Sequence, residues 1–196
     1  MSETERKGSL ERQNQIIEAA LDIIDKEGIH SLTLKSIGSA IGISDAALLR
    51  HFRSKEEIVE ATAQRVFFEC VVPEETTRSD DVGTILSQLI RNQFEKFDSF
   101  PQSTAVLFQE DIFREYPEIR AWFIERRNDR KERISGLIRK RTDLGQIDRS
   151  VDPDVFATIF MGAMRMEVME WRDSGYSWSL RSRADPLLEQ LLGILR

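Results

Sequence analysis

The chain has 196 residues, 40% of them hydrophobic, and carries 28 lysines and arginines against 34 aspartates and glutamates, a formal net charge of −6. It is long enough to bury a sizeable core in one or two domains, and the spread of Leu, Ile, Val and Phe excludes a wholly disordered chain. The negative balance excludes a bulk polycation, a lone Cys70 excludes an intramolecular disulfide or a zinc ribbon, and two histidines, His30 and His51, argue against a histidine metal site.

The opening MSETERKG is polar and lacks the apolar stretch of a secretory signal. No apolar run reaches 18 residues, and the longest nearly apolar segment, 151–164, is broken by Asp152, Pro153 and Asp154. The expected address is the cytoplasm, with no membrane partner. The N-terminal arm holds Arg6, Lys7 and Arg12 with Glu3, Glu5 and Glu11. It reads as a disordered leader in preference to an extra phosphate contact.

Periodicity is helical nearly everywhere. Ile16, Ile17, Ala20, Leu21 and Ile24 share one face at a 3.6-residue repeat, and Gly28 supplies the stop. Thr33 caps a short helix with Leu34, Ile37 and Ile41 that Gly42 ends, and Ser44 caps the next, through Leu48 to about Phe52. Ser54 and Glu57 have capping-box spacing and start a longer helix to about Val72, before Pro73. A loop is expected at 74–81. Helices are expected over 82–100, 103–114 and about 117–141, then a turn at Asp143-Leu144-Gly145-Gln146. Pro153 suits the first turn of a helix reaching Arg172, and a last helix covers 185–195. With no alternating strand pattern and no internal repeat, the expected fold is all-α, about nine helices.

Residues 1–55 balance in charge, so the acidic excess falls in 56–196. Within 29–55 the charges are Lys35, Arg50, Arg53 and Lys55 against Asp45 alone. The locally basic block thus coincides with the short capped helices, whose arrangement is a helix-turn-helix: Gly42 relieves the turn, Ile43 plugs the core and Ser44 caps the second helix of the motif.

The residues Ile17-x-x-Ala20-Leu21-x-x-Ile24-x-x-x-Gly28, Thr33-x-x-x-Ile37, Gly42-Ile43-Ser44 and Leu48-x-x-x-Phe52-x-x-Lys55-Glu56 closely resemble the TetR family of transcriptional regulators (TetR/AcrR type). The resemblance runs through most of residues 10–60. It implies a helix-turn-helix DNA-binding domain at 9–55, with the motif at 33–52, and a helical effector-binding and dimerisation domain at 56–196. It further implies a homodimer on a double-stranded, palindromic operator, a small hydrophobic or aromatic effector, and most commonly repression.

The candidate DNA contacts are Thr33, Lys35, Ser44, Asp45, Ala46, Ala47, Leu49, Arg50, His51 and Lys55. Thr33 and Ser44 have two roles open to them, capping and phosphate contact, and Lys55 reads as a phosphate contact. Arg50 is the side chain able to bind guanine bidentately, with a phosphate clamp as its other role. Ala46 and Ala47 allow close approach and contact with thymine methyls, while His51 suits phosphate. Leu49 stands where the family often has Tyr, and Asp45 where Lys or Arg is frequent. Asp45 favours the helix N-terminus, opposes nearby phosphate, and can accept from a cytosine amino group.

In the body, Leu144-Gly145-Gln146-Ile147, Asp152-Pro153 and Phe160-x-Gly162-x-x-Arg165 resemble the turn and penultimate helix of many family members. Candidates for a ligand pocket are Phe67, Phe94, Phe97, Phe108, Phe113, Trp122, Phe123, Phe156, Phe160 and Met164. Candidates for a two-fold interface are Phe156, Ile159, Phe160, Ala163, Leu187, Leu188, Leu191, Leu192 and Leu195, since the last helix is apolar around too much of its circumference for one-sided burial. The charged run from Glu125 to Arg133 reads as a solvated face. No Ser-His-Asp order, phosphate loop or framed carboxylate pair is present, so no catalytic residue, cofactor or metal is expected. The alternative is a DNA-binding regulator controlled by a protein partner, or without an effector.

Overall fold

The computed structural model describes residues 3–70, 81–108 and 110–195. Its regular elements are all helical: α1 (Glu3–Glu27), α2 (Leu34–Ile41), α3 (Asp45–Leu48), α4 (Lys55–Cys70), α5 (Val82–Ser99), α6 (Ser103–Phe108), α7 (Glu110–Glu115), α8 (Pro117–Asp143), α9 (Pro153–Asp173) and α10 (Ala184–Gly193). Single 3₁₀ turns lie at Ile29–Ser31 and Leu180–Arg183. The all-α expectation holds. The helix expected at 103–114 corresponds to α6 and α7, on either side of Gln109, which lies outside the described residues. So do 71–80, which include most of the expected loop. Asp81 caps α5 by accepting from the Thr84 amide at 2.7 Å. Among the described residues no helix is long and apolar enough to cross a membrane.

One expectation is corrected at the start of the chain. The segment read as a leader belongs to α1, which is helical from Glu3. Residues 3–15 are rich in Glu, Arg, Lys and Gln, all good helix formers, but carry no apolar stripe for a periodicity argument to detect. The buried turns from Ile16 to Ile24 supply the nucleus, and extension costs little once it exists.

Contacts divide the chain into two compact units, Met1–Cys70 with Gln102–Arg120, and Val71–Pro101 with Ala121–Arg196. In the first, α1 packs against α2, α4, α6 and the 29–31 turn, burying Ile16, Ala20, Leu21 and Ile24 with Ile37, Leu48, Ile58, Ala63 and Val66. Gln102 donates to Asp22 at 3.3 Å. This packing unit reaches past the expected 9–55 segment, because α4 and the 102–120 segment share its core.

The second unit contains α5, most of α8, α9 and α10. Helix α8 closes with paired bonds from Gly145 N to Thr142 O and from Gln146 N to Arg141 O, which Gly145 permits at φ 70°. Asp152 caps α9, accepting from the amides of Asp154 and Val155 at 2.9 Å, with Pro153 in the first turn. The irregular stretch after α9 is tied to α5 by side chains. Asp98 accepts from the Ser179 hydroxyl at 2.7 Å and from the amides of Leu180 and Arg181 at 2.7 and 3.0 Å. The Trp171 indole donates to the Trp178 carbonyl at 2.6 Å, and Arg91 on α5 pairs with Asp185 on α10.

Candidate nucleic-acid interface

The 28–57 stretch is built from caps and close backbone approaches. Gly28 leaves α1 at φ 82°, ψ 167°, a conformation essentially restricted to glycine. Thr33 and Ser36 form a reciprocal capping box: Thr33 Oγ1 accepts from the Ser36 amide at 2.9 Å, and Ser36 Oγ accepts from the Thr33 amide at 2.8 Å. Gly42 ends α2 in the left-handed region at φ 70°. Ser44 then accepts from the Ala47 amide at 3.2 Å and starts α3.

The angle between α2 and α3 rests on Gly38, which the pattern of caps does not single out. A Cβ placed there would lie 2.6 Å from the Ile43 carbonyl oxygen. The Ile43 amide also donates to the Gly38 carbonyl at 2.9 Å. Backbone touches backbone across the turn, so no larger residue fits without moving α3.

Helix α3 is shorter than the expected 44–52. It is α-helical over 45–48 and tightens into three-residue bonds, Arg50 N to Ala47 O and His51 N to Leu48 O. Leu48 and Phe52 are buried beneath it, while Asp45, Ala46, Leu49 and Arg50 are exposed and Ala47 is half-buried. Leu49, at 45% exposure, is a large apolar side chain held in water by the same geometry that presents Arg50. Thr33 and Lys35 are exposed, as is Arg53, which was not among the candidates; Lys55 is half-buried. Asp45, Ala46, Leu49 and Arg50 thus face outward, while Leu48 and Phe52 face inward.

His51 is half-buried and makes contacts within the chain. Its Nδ1 lies 3.5 Å from Ser9 Oγ, and its carbonyl accepts from Gln13 Nε2 at 3.1 Å. These contacts join the end of α3 to α1. Ser9 and Gln13 went unnoticed because they lie in the segment read as a leader. At the start of α4 the forward half of the expected box is present, Ser54 accepting from the Glu57 amide at 3.3 Å, while the return bond is displaced by one residue: the Glu57 carboxylate accepts from the Arg53 amide. The backbone amide of Glu56 and the Ser54 hydroxyl hold the Glu56 carboxyl below its usual range, keeping an anion at the α4 N-terminus. Chemically, the surface offers two guanidinium groups (Arg50 and Arg53), two ammonium groups (Lys35 and Lys55) and the capping hydroxyls of Thr33 and Ser44 around a small-residue helix face. Among the described residues no group of three or more His, Cys, Asp and Glu could hold a metal.

The remaining candidates lie in both units. Phe67 and Phe108 belong to the first and are half-buried, and the Phe113 side chain lies outside the described residues. Phe94, Phe97, Phe156, Phe160 and Met164 are buried in the second, with Trp122 and Phe123 half-buried; the rings of Phe156 and Phe160 are 6.2 Å apart. Of the interface candidates, Phe156, Phe160, Leu191 and Leu195 are buried within the protomer, so they are not open to a second chain. Ile159 is exposed, and Ala163, Leu187, Leu188 and Leu192 keep part of their surface. The outward face of α9 also carries Val155 and Met166, both more than half exposed.

Known proteins share both the motif and the architecture. The family described as "Bacterial regulatory proteins, tetR family" matches residues 16–62. The uncharacterized HTH-type transcriptional regulator YerO of Bacillus subtilis (strain 168) is 27% identical over 117 residues, which are 58% of this chain and 40% of that protein. The matched stretch thus spans less than half the length of that relative. Among solved structures, the TetR family transcriptional regulator PfmR of Thermus thermophilus superposes with a TM-score of 0.75 at 20% identity, covering 92% of this chain and 98% of that one. The transcriptional regulator FadR of Bacillus subtilis, solved with stearoyl-CoA, gives 0.66 at 18% identity, covering 93% and 98%. Residues 16–62 thus match the tetR-type DNA-binding segment, and the chain as a whole shares the fold of these solved regulators.

Proposed function

We propose that the chain is a ligand-responsive transcriptional repressor that binds a near-palindromic operator in the cytoplasm and is released by a small hydrophobic effector. Residues 9–55 read DNA, and 56–196 bind the effector and a second subunit. The observation that carries this reading is the outward set Asp45, Ala46, Leu49 and Arg50 on a helix whose position is fixed by backbone contact at Gly38 and Ile43. Flanking cations at Lys35, Arg53 and Lys55 supply the phosphate contacts that set register, and Arg50 supplies base discrimination.

A two-fold dimer is favoured by the outward apolar stripe of α9, Val155, Ile159 and Met166, continued by Ala163 and by Leu187, Leu188 and Leu192 of α10. Self-association of this face would bury those side chains and present two reading helices about one DNA turn or somewhat more apart. The buried aromatics of the second unit favour an apolar effector, as does the stearoyl-CoA bound by the structurally similar FadR. A coupling of about 1–3 kcal/mol between effector and operator sites is enough for a 5- to 150-fold loss of operator affinity.

The test is to footprint the purified protein on DNA flanking its own gene, then titrate that operator with and without an apolar compound shown to bind. Protection of a near-palindrome that weakens with the compound is expected. A tight binder that leaves operator affinity unchanged overturns the effector reading, and absence of any protected site on that DNA overturns repression of its own locus.

A further inference from the structure

The charged run of α8, Glu125 to Arg133, is exposed except at Arg130 and Lys131. Arg130 lies seven residues after Phe123 and four and eight before Ile134 and Ile138, both buried. That spacing puts it on the inward stripe of α8, where an aliphatic residue is the ordinary occupant. Its Nη2 donates to Gln93 Oε1 at 2.6 Å. Gln93 is itself 2% exposed on α5, between the buried Ile90, Phe94 and Phe97. Among the described residues no carboxylate forms an ion pair with Arg130; its partner is an uncharged amide.

A guanidinium cannot escape burial by losing its proton. Desolvation lowers its pKa, yet the group stays charged at physiological pH. A half-buried cation whose inward nitrogen faces a neutral oxygen carries a desolvation cost that an aliphatic side chain at the same position would avoid. Its planar fork also leaves donors for a second, bidentate partner, and carboxylate and phosphate match that geometry.

We propose that Arg130, oriented by Gln93, receives the anionic head group, a carboxylate or a phosphate, of an otherwise apolar effector whose chain or ring lies among the aromatic side chains of the same unit. This rests on the effector reading above and narrows it from a hydrophobic compound to an anionic amphiphile. Gln93 acts as a positioning residue, since its amide oxygen holds the guanidinium without neutralising it.

Calorimetric titration with decanoate, methyl decanoate and decanoyl-CoA tests this, on the wild type and on Arg130→Met, Arg130→Lys and Gln93→Leu, with the ligand-free melting temperature of each. The wild type should prefer one or both anions over the ester by about 10- to 100-fold, the range of a charge-assisted bond. Decanoate alone above the ester marks a carboxylate receptor, and decanoyl-CoA alone marks a phosphate receptor. Arg130→Met should lose the preference while melting higher than the wild type without ligand, and Arg130→Lys should keep part of it. Equal affinity for all three compounds, unchanged in Arg130→Met, overturns the anion site and leaves a hydrophobic effector standing. Binding of none of the three by a wild type that still binds its operator counts against the anion site, and against the effector reading only if uncharged aromatic compounds also fail. A ligand-free Arg130→Met that melts lower than the wild type also contradicts the proposal, because the charge would then be compensated within the chain.

Discussion

The two compact units hold their irregular segments in different ways. In the first, residues 28–54 are fixed by the backbone and by local caps: Thr33 with Ser36, Ser44 with Ala47, and the approach of Gly38 to Ile43. In the second, residues 174–183 depend in addition on a distant carboxylate, Asp98, which takes three hydrogen bonds from residues about eighty positions later in the chain, and on the Trp171 indole. A segment held by its own backbone keeps its shape while its outward side chains are free to vary, which suits a surface that must match DNA. A segment tied down by a remote side chain as well as by local bonds loses part of its order with that residue.

The difference can be broken at both ends. The largest effect is expected for Gly38→Ala, where the new Cβ meets the Ile43 carbonyl at 2.6 Å. Overpacking against backbone should destabilise by about 3 kcal/mol, and calorimetry should show the melting temperature fall by roughly 6–12 °C. Asp98→Ala comes next, at about 2 kcal/mol, since it removes a charged acceptor from two amides and a hydroxyl. Hydrogen exchange should quicken at Leu180 and Arg181 while amides in α2 and α3 keep their protection. Thr33→Ala removes one cap from a segment with several, and chemical denaturation should register about 1 kcal/mol.

The smallest effect is a matter of pH. The hydroxyl and amide of Thr84 hold the Asp81 carboxyl below its usual range. A depressed folded-state pKa stabilises above the unfolded value and is lost as pH falls through the folded one. Exchange at the first amides of α5 should therefore accelerate below about pH 4. In Asp81→Asn that acid dependence should be absent.

This contrast also explains what could be read in advance. The caps at Thr33 and Ser44, the stops at Gly28 and Gly42 and the turn at Gly145 are legible because donor and acceptor lie within a few residues. Gly38 is not, since its requirement depends on where the Ile43 carbonyl arrives after the turn. Asp98 looks like any acid near a helix end, and its three partners are remote in sequence. Helix α9 is apolar on two faces, so periodicity could not decide that Phe156 and Phe160 turn inward while Val155 and Ile159 turn outward. Arg130 was hidden inside a charged run that is otherwise solvated, and the start of α1 lacked any apolar stripe.

The central claim, that the 33–55 stretch reads DNA from a rigid backbone frame, is tested most directly by salt-dependent titration of the protected operator. The comparison is between the wild type, Arg50→Ala and Lys55→Ala. Lys55→Ala should weaken binding to all sequences alike and reduce the salt slope by about one charge, whereas Arg50→Ala should relax preference at one base pair by about 1–3 kcal/mol. If both variants keep the affinity, the salt slope and the sequence preference of the wild type, the reading surface lies elsewhere and the account is wrong.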